Sequence, residues 1–247
     1  MIIHSYETSK RCDACIGYLE TSRITENTEK IILLPIPSTK DNSTVLNTNI
    51  YINDVLELIE PKTVVCGYGL PAGFLDAAEK MGALVLDLGR NEDFLLENAH
   101  ITSLCALSVI LATAGAIPSE LNIGVVGYGR IGKKLTELFT YLGSSVRVYT
   151  TRQSVRYELG ECGISSVLGT AAGDLSELDI LINTAPAKLF SASDIPMGLR
   201  IIELASGDNF PGVPNVEKYP SVPAKIFPAS AGKTWGKAIE RFILNNQ

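Results

Sequence analysis

Residues 122–135, NIGVVGYGRIGKKL, constrain this chain more than any other stretch. An apolar run containing Ile123, Val125 and Val126 leads straight into Gly127-Tyr128-Gly129-Arg130-Ile131-Gly132, and a helical pattern follows. A strand that turns into a helix through G-x-G-x-x-G is the phosphate-binding turn of a dinucleotide fold. The first glycine makes the tight turn, the second lets backbone approach a pyrophosphate, and the third lets the helix pack against the strand. The helix start adds N–H groups and the positive end of its dipole. The bare glycine pattern is common, and its place between a strand and a helix is what makes it informative.

The flanking sequence alternates in the same manner. Apolar runs at 31–34, 63–66 and 83–87 are separated by helical patterns at 53–59 and 74–81, with Gly82 as a C-cap, as in a parallel sheet. Residues 98–113 read as one long helix, apolar nearly all round, that connects two lobes and stops at Gly115 and Pro118. After the glycine motif come strands at 146–149, 180–182 and 200–204, a short strand or edge at 163–165, and a last short strand at 225–227. Residues 235–244 form a terminal helix with Trp235, Ala238, Ile239, Phe242 and Ile243 on one side. Residues 1–30 are polar and carry no clear pattern. The expected class is α/β with two lobes of parallel sheet. The first, 1–98, is smaller and flavodoxin-like. The second, 99–232, is a Rossmann-type doubly wound dinucleotide-binding domain, and a terminal helix, 233–247, is free to pack back on the first lobe.

Composition narrows the class of function. With 247 residues, 46% hydrophobic and 19% charged, the chain has the apolar content of a filled globule. A net charge of -6 leaves no basic footprint for nucleic acid or an acidic membrane. No apolar stretch reaches the roughly 18 to 20 uninterrupted residues of a membrane helix. The nearest, 101–116, is broken by Thr102, Ser103, Ser108 and Thr113. The first residues do not make a signal peptide, so a cytoplasmic protein is the default. Five scattered cysteines suit a reducing compartment. Cys12 and Cys15 form a C-x-x-C with no second pair, so no metal site is expected.

Ligands of doubly wound sheets bind outside the carboxyl ends of the strands. That selects the loops at 127–132, 150–154, 183–188, 205–208 and 228–234, with 35–40 and 67–71 from the smaller lobe. An acidic residue about 20 positions past the glycines would hydrogen-bond the ribose of NAD. Here Thr150, Thr151 and Arg152 stand there instead. Hydroxyls plus a guanidinium suit a 2′-phosphate, which favours NADP over NAD. No acid–base residue stands out. The candidates are His100 at the start of the connecting helix, Asp208 and Lys233, while His4 lies in the unpatterned start. Gly232-Lys233-Thr234 is not a nucleotide P-loop, because Phe227 occupies the position of its upstream glycine.

With these residues in place, the chain resembles the dipicolinate synthase family of spore-forming bacteria, in its nucleotide-binding component, and more distantly the D-2-hydroxyacid dehydrogenases. The resemblance rests on Ile32-Leu33-Leu34-Pro35 with Ser38-Thr39, on Asn98 with Thr102, and on the glycine motif. It continues through Ile182-Asn183-Thr184-Ala185-Pro186, Glu203-Leu204-Ala205-Ser206, and Lys233-Thr234 with Gly236. It implies a two-lobed NAD(P)-dependent oxidoreductase, with the cofactor between the lobes and its nicotinamide near Asn183, Thr184, Ala185 and Pro186. The implied reaction is oxidation of dihydrodipicolinate to dipicolinate, a step of sporulation, and the implied partner is a flavoprotein-like B subunit. Ser38, Thr39, Ser206, Lys233 and Thr234 would then hold the carboxylates of a cyclic dicarboxylate, and a homo-oligomer is expected. The chain also departs from the family. It is shortened at its first strand-and-glycine unit, has Leu104 where a glutamate is expected, and reads Gly207-Asp208 after Ala205-Ser206 where Arg-Pro is expected. The loop before Lys233 is cut down. These departures favour an alternative of another class, a catalytically silent nucleotide-binding partner protein or sensor. A methyltransferase on the same glycine turn is disfavoured, because no acidic residue ends the second strand.

Overall fold

The computed structural model describes residues 1–26, 28–169, 175–214 and 216–246. Two compact units emerge: residues 1–98 with 223–247, and residues 99–222. The segment that returns to the first unit therefore begins at Pro223.

The first unit opens with β1 (Ile2–Ser5) and α1 (Lys10–Glu20), followed by a 3-10 turn at Arg23–Glu26 and β2 (Lys30–Leu33). A second 3-10 segment (Ile52–Leu58) precedes β3 (Val64–Gly67), α2 (Ala72–Lys80) and β4 (Leu84–Asp87). After Leu88–Arg90 comes α3 (Glu92–Thr113), whose first seven residues belong here and whose remainder belongs to the second unit. The sheet is wholly parallel in the order β1-β2-β3-β4. Residues 1–30, which carried no pattern, thus hold a strand and a helix. Ser9 caps α1 by accepting from the Cys12 N–H, and Cys12, Cys15 and Leu19 line its buried side.

The two faces of this sheet are covered differently. α1 packs with the C-terminal helix on the face bearing Ile31, Leu33, Val64 and Cys66. α2 and the 52–58 segment cover the other, bearing Ile32, Leu34 and Val65. The crossovers β1–α1–β2 and β3–α2–β4 step the same way across the sheet but on opposite faces, so they have opposite hands. That departs from the near-universal right-handed rule. The four-strand order 1-2-3-4 also differs from the flavodoxin order 2-1-3-4-5.

The second unit continues with a 3-10 turn (Pro118–Glu120), β5 (Asn122–Val126), α4 (Arg130–Tyr141), β6 (Ser145–Thr150), α5 (Gln153–Glu161) and β7 (Ser165–Leu168). Then come β8 (Ile180–Asn183), a turn at Ala192–Asp194, β9 (Arg200–Glu203) and β10 (Val216–Lys218). All six strands are parallel in the order β10-β9-β8-β5-β6-β7, the doubly wound order 3-2-1-4-5-6 read from the other edge. α3, α4 and α5 cover one face through Ala106, Ile110, Leu135, Phe139, Val155 and Leu159. On the other face Phe190 meets Tyr149 edge-on, with ring centroids 5.6 Å apart.

The chain ends with α6 (Val222–Ile226) and α7 (Pro228–Asn245). Residues 225–227, expected as a strand, are the end of α6 and the residue that precedes α7. The last strand is β10. The loop expected at 228–234 is the first two turns of α7, for which Pro228 supplies a preset φ. α3 starts six residues earlier than expected because Asn91 accepts from the Phe94 N–H and Glu92 and Asp93 occupy the first turn. By length and composition α3 could cross a membrane (mean hydropathy 1.6), and 44% of that window is buried in the protein.

Four cysteines, Cys12, Cys15, Cys66 and Cys105, are buried, and Cys162 is exposed. Desolvation raises the Cys15 thiol pKa and pushes that of Cys66 up to about 12, while Trp235 Nε1 donates to the Cys66 sulfur at 3.2 Å. Thiolate, the reactive form, is therefore suppressed at these sites. A native thiol titration should modify Cys162 alone, and all five cysteines should react once the chain is unfolded.

Candidate dinucleotide site

The glycine loop sits where β5 hands over to α4, at the point where strand order reverses between β5 and β8. Gly127 has φ +86°, the left-handed turn that glycine adopts without strain. A Cβ there would stand 3.0 Å from Thr184 Oγ1 and 3.1 Å from the Ala185 Cβ. The Thr184 N–H donates to the Val126 carbonyl at 2.9 Å, and its hydroxyl donates to the same oxygen at 2.8 Å. This ties the loop after β8 to the end of β5. A Cβ on Gly132 would fall 2.2 Å from the Gly127 carbonyl oxygen, so the helix approaches the loop only because residue 132 has no side chain. At Gly129 an added Cβ would meet no atom within 4 Å. The three glycines therefore do different things: two permit protein packing and the third keeps space open above the loop. No side chain caps α4, whose N-cap is Gly129. The first-turn N–H groups are thus left for an anion, and both the open face of Gly129 and this uncapped start fit a pyrophosphate.

At the end of β6, Thr150 is buried and its hydroxyl accepts from the Arg152 N–H at 3.2 Å. Thr151 and Arg152 are exposed. Arg152 Nη2 donates to the Tyr128 carbonyl at 2.7 Å, which brings the guanidinium onto the glycine loop. The Tyr128 ring lies 5.6 Å from Lys133 Nζ, which pairs with Glu158 at 2.7 Å. Tyr128, Arg130 and Ile131 complete the loop and the first turn of α4.

The other half of the site holds a buried polar cluster in which the expected cofactor residue Asn183 meets two residues not assigned to the site, Glu203 and Asn209. Glu203, at the end of β9, is 3% exposed, and Asn183, at the end of β8, is 1% exposed. Asn183 Nδ2 donates to both carboxylate oxygens, at 2.9 and 3.2 Å. The Ala205 N–H donates at 2.9 Å and Asn209 Nδ2 at 3.2 Å. Desolvation raises the Glu203 pKa against the opposing pull of these donors. Asn183 also folds its own loop: Oδ1 accepts from the Ala185 N–H and Nδ2 donates to the Ala185 carbonyl. The available signal was a carboxylate following the buried apolar pair Ile201-Ile202 at the end of β9.

The remaining candidates are dispersed. Ser206 is exposed in the loop after β9, beside Asp208, which pairs with Lys218 at 2.9 Å. That pairing lowers the Asp208 pKa. His100 is exposed on α3, and Pro186 is exposed after β8. In the first unit Ser38 is fully buried, donating to the Pro35 carbonyl and accepting from the Tyr68 N–H. Thr39 is buried and accepts from the Asn42 N–H. Lys233 is exposed on α7 and Thr234 is buried in it. Among the described residues, no group of three or more His, Cys, Asp or Glu side chains could hold a metal. A cavity of about 510 Å³ lies at the opposite, amino ends of β5, β8 and β9, beside Asp179, Met197 and Arg200, away from the glycine loop.

Strand order, switch point and glycine loop define a doubly wound dinucleotide-binding fold in the second unit. No protein-family model matches the sequence, and no curated protein matches it significantly. Solved structures do share the whole fold. A dipicolinate synthase component from Bacillus halodurans aligns with a TM-score of 0.75 and 20% identity over 97% of this chain and 96% of that one. The corresponding component of dipicolinate synthase from Bacillus subtilis aligns with a TM-score of 0.75 and 18% identity, over 98% and 94%. The NAD-complexed D-isomer specific 2-hydroxyacid dehydrogenase from Lactobacillus delbrueckii subspecies bulgaricus aligns at 0.54 and 10%, over 99% and 96%.

Proposed function

We propose that this chain is an NAD(P)-dependent oxidoreductase of the dipicolinate synthase kind, with NADP as its preferred cofactor. The observation that carries the reading is the glycine loop, with open space above Gly129 and an uncapped helix start at the sheet's switch point. The fold shared with dipicolinate synthase supports the reaction class. When bound, the nicotinamide supplies hydride acceptance or donation. The chain's own part is to hold the pyrophosphate on the α4 start and to seat the second nucleotide against the loops after β8 and β9. Ser206 supplies an exposed hydroxyl in the second of those loops. A cyclic dicarboxylate is the proposed substrate, a flavoprotein-like B subunit the proposed redox partner, and a homo-oligomer the working form. Ser38 and Thr39 would serve the substrate through the loops they hold, since the Ser38 hydroxyl joins the Pro35 carbonyl to the Tyr68 N–H and the Thr39 hydroxyl accepts from the Asn42 N–H.

Arg152 is proposed to grip the 2′-phosphate, because its bond to the Tyr128 carbonyl brings it to the adenosine side of the loop. Arg152→Ala should weaken NADPH binding by about tenfold or more, the scale of one charge-assisted bond, and leave NADH nearly unchanged. Equal losses would refute the assignment.

The second reading, a nucleotide-binding sensor without turnover, draws on the carboxyl-end loops of the second unit. There Glu203 is fully engaged by amides and Asp208 is ion-paired, leaving neither carboxylate disposed for proton transfer. Dihydrodipicolinate with NADP or NAD, followed by nicotinamide absorbance with and without the flavoprotein-like partner, separates the two. Reduction of the cofactor supports the oxidoreductase. Binding without turnover leaves the sensor.

A further inference from the structure

In the second unit the buried Glu203 carboxylate bonds groups from two different loops at the carboxyl end of the sheet. In a doubly wound sheet the β5-β6-β7 half carries the glycine fingerprint and the adenosine, so the other mononucleotide falls to the β8-β9-β10 half. The loops after β8 and β9 are its floor. The first carries the short 3-10 turn Ala192–Asp194, and a carboxylate joins the two. Glu203 receives Asn183 from the mouth of the first loop and Ala205 and Asn209 from the second. Asn183 in turn sets the Ala185 turn, and Asn209 Nδ2 also donates to the Ser206 carbonyl at 3.1 Å. The donors to the Glu203 carboxylate, Asn183, Ala205 and Asn209, and the groups those amides bond in turn, lie in these two loops or where they leave their strands.

We infer that Glu203 is a positioning residue that sets the loops after β8 and β9 in register to receive the nicotinamide mononucleotide half of the cofactor, without touching it. The inference rests on the reading of the second unit as a dinucleotide site. An isosteric amide cannot do the same, because its NH2 would face the NH2 of Asn183 or Asn209, donor against donor.

The test uses the intact chain and compares NADPH with 2′-phospho-ADP-ribose, which keeps the adenosine half and lacks the nicotinamide. Glu203→Gln should weaken NADPH by about tenfold or more, the scale of a lost bond to a charged group, and change 2′-phospho-ADP-ribose by less than about twofold. Asn209→Ala, which leaves β9 untouched, should shift the same ratio the same way by a smaller factor, so the result does not hang on one variant's folding. Loss of both ligands in proportion, or of neither, overturns the inference and leaves Glu203 a general structural residue. Wild-type protein that binds neither ligand, nor NADH and ADP-ribose, overturns the dinucleotide reading itself.

Discussion

Gly129→Ala should abolish most dinucleotide binding, by about 10- to 100-fold, while leaving the fold nearly as stable as before. The added methyl meets no protein atom within 4 Å, and at φ -87° and ψ -164° the backbone accepts an alanine. Its stability cost is that of a poorer N-cap, about 1 kcal/mol. Any larger loss of affinity must come from the methyl filling space a ligand needs. Gly132→Ala supplies the contrast. There the methyl would press to 2.2 Å from the Gly127 carbonyl oxygen, which is backbone and cannot swing aside. Both affinity and melting temperature should fall. Calorimetric binding and thermal unfolding of the two variants, run together, distinguish ligand space from packing. If Gly129→Ala binds like the parent, the open face is not where the pyrophosphate lies.

Gly232→Val should destabilise the first unit by about 3 kcal/mol or more, the upper range for overpacking a well-filled site. α7 crosses α1 so closely that a Cβ at 232 would stand 2.2 Å from the Arg11 carbonyl oxygen, 2.6 Å from the Ala14 Cβ and 2.8 Å from the Cys15 nitrogen. Two of those three are backbone atoms of a helix. Helix propensity alone predicts the opposite sign, since replacing a mid-helix glycine gains up to about 1 kcal/mol. Gly17→Ala tests that opposing effect. It lies in α1 itself, is exposed, and has nothing within 4 Å of the added methyl, so it should stabilise by about 1 kcal/mol. Urea unfolding of the two variants should therefore move in opposite directions. A stabilised Gly232→Val would mean that the helix contact is looser than described.

What could be read from the sequence was what is local. The glycine loop is a strand, a turn and a helix within fifteen residues, and each strand flanking it is a short apolar run. Both sheets were legible as parallel for that reason. α1 was missed because its buried stripe is made of Cys12 and Cys15, which look like chemistry rather than core, although Ser9 and the 12-15-19 spacing announce a helix. The start of α7 reads as a ligand loop in the sequence because 228–234 carries a proline and a glycine. Pro228 is a helix starter there, and Gly232 and Gly236 are demanded by α1, where a Cβ at 236 would stand 2.6 Å from the Tyr18 ring. The Glu203 cluster joins positions twenty residues apart across neighbouring strands, a pairing that exists only once β8 and β9 are in register.

Whether the second unit holds a nicotinamide dinucleotide on its glycine loop is tested most directly by calorimetric titration of the intact protein with NADPH and with NADH. One site per chain, filled more tightly by NADPH than by NADH, is the predicted result. Absence of binding by either nucleotide would contradict it.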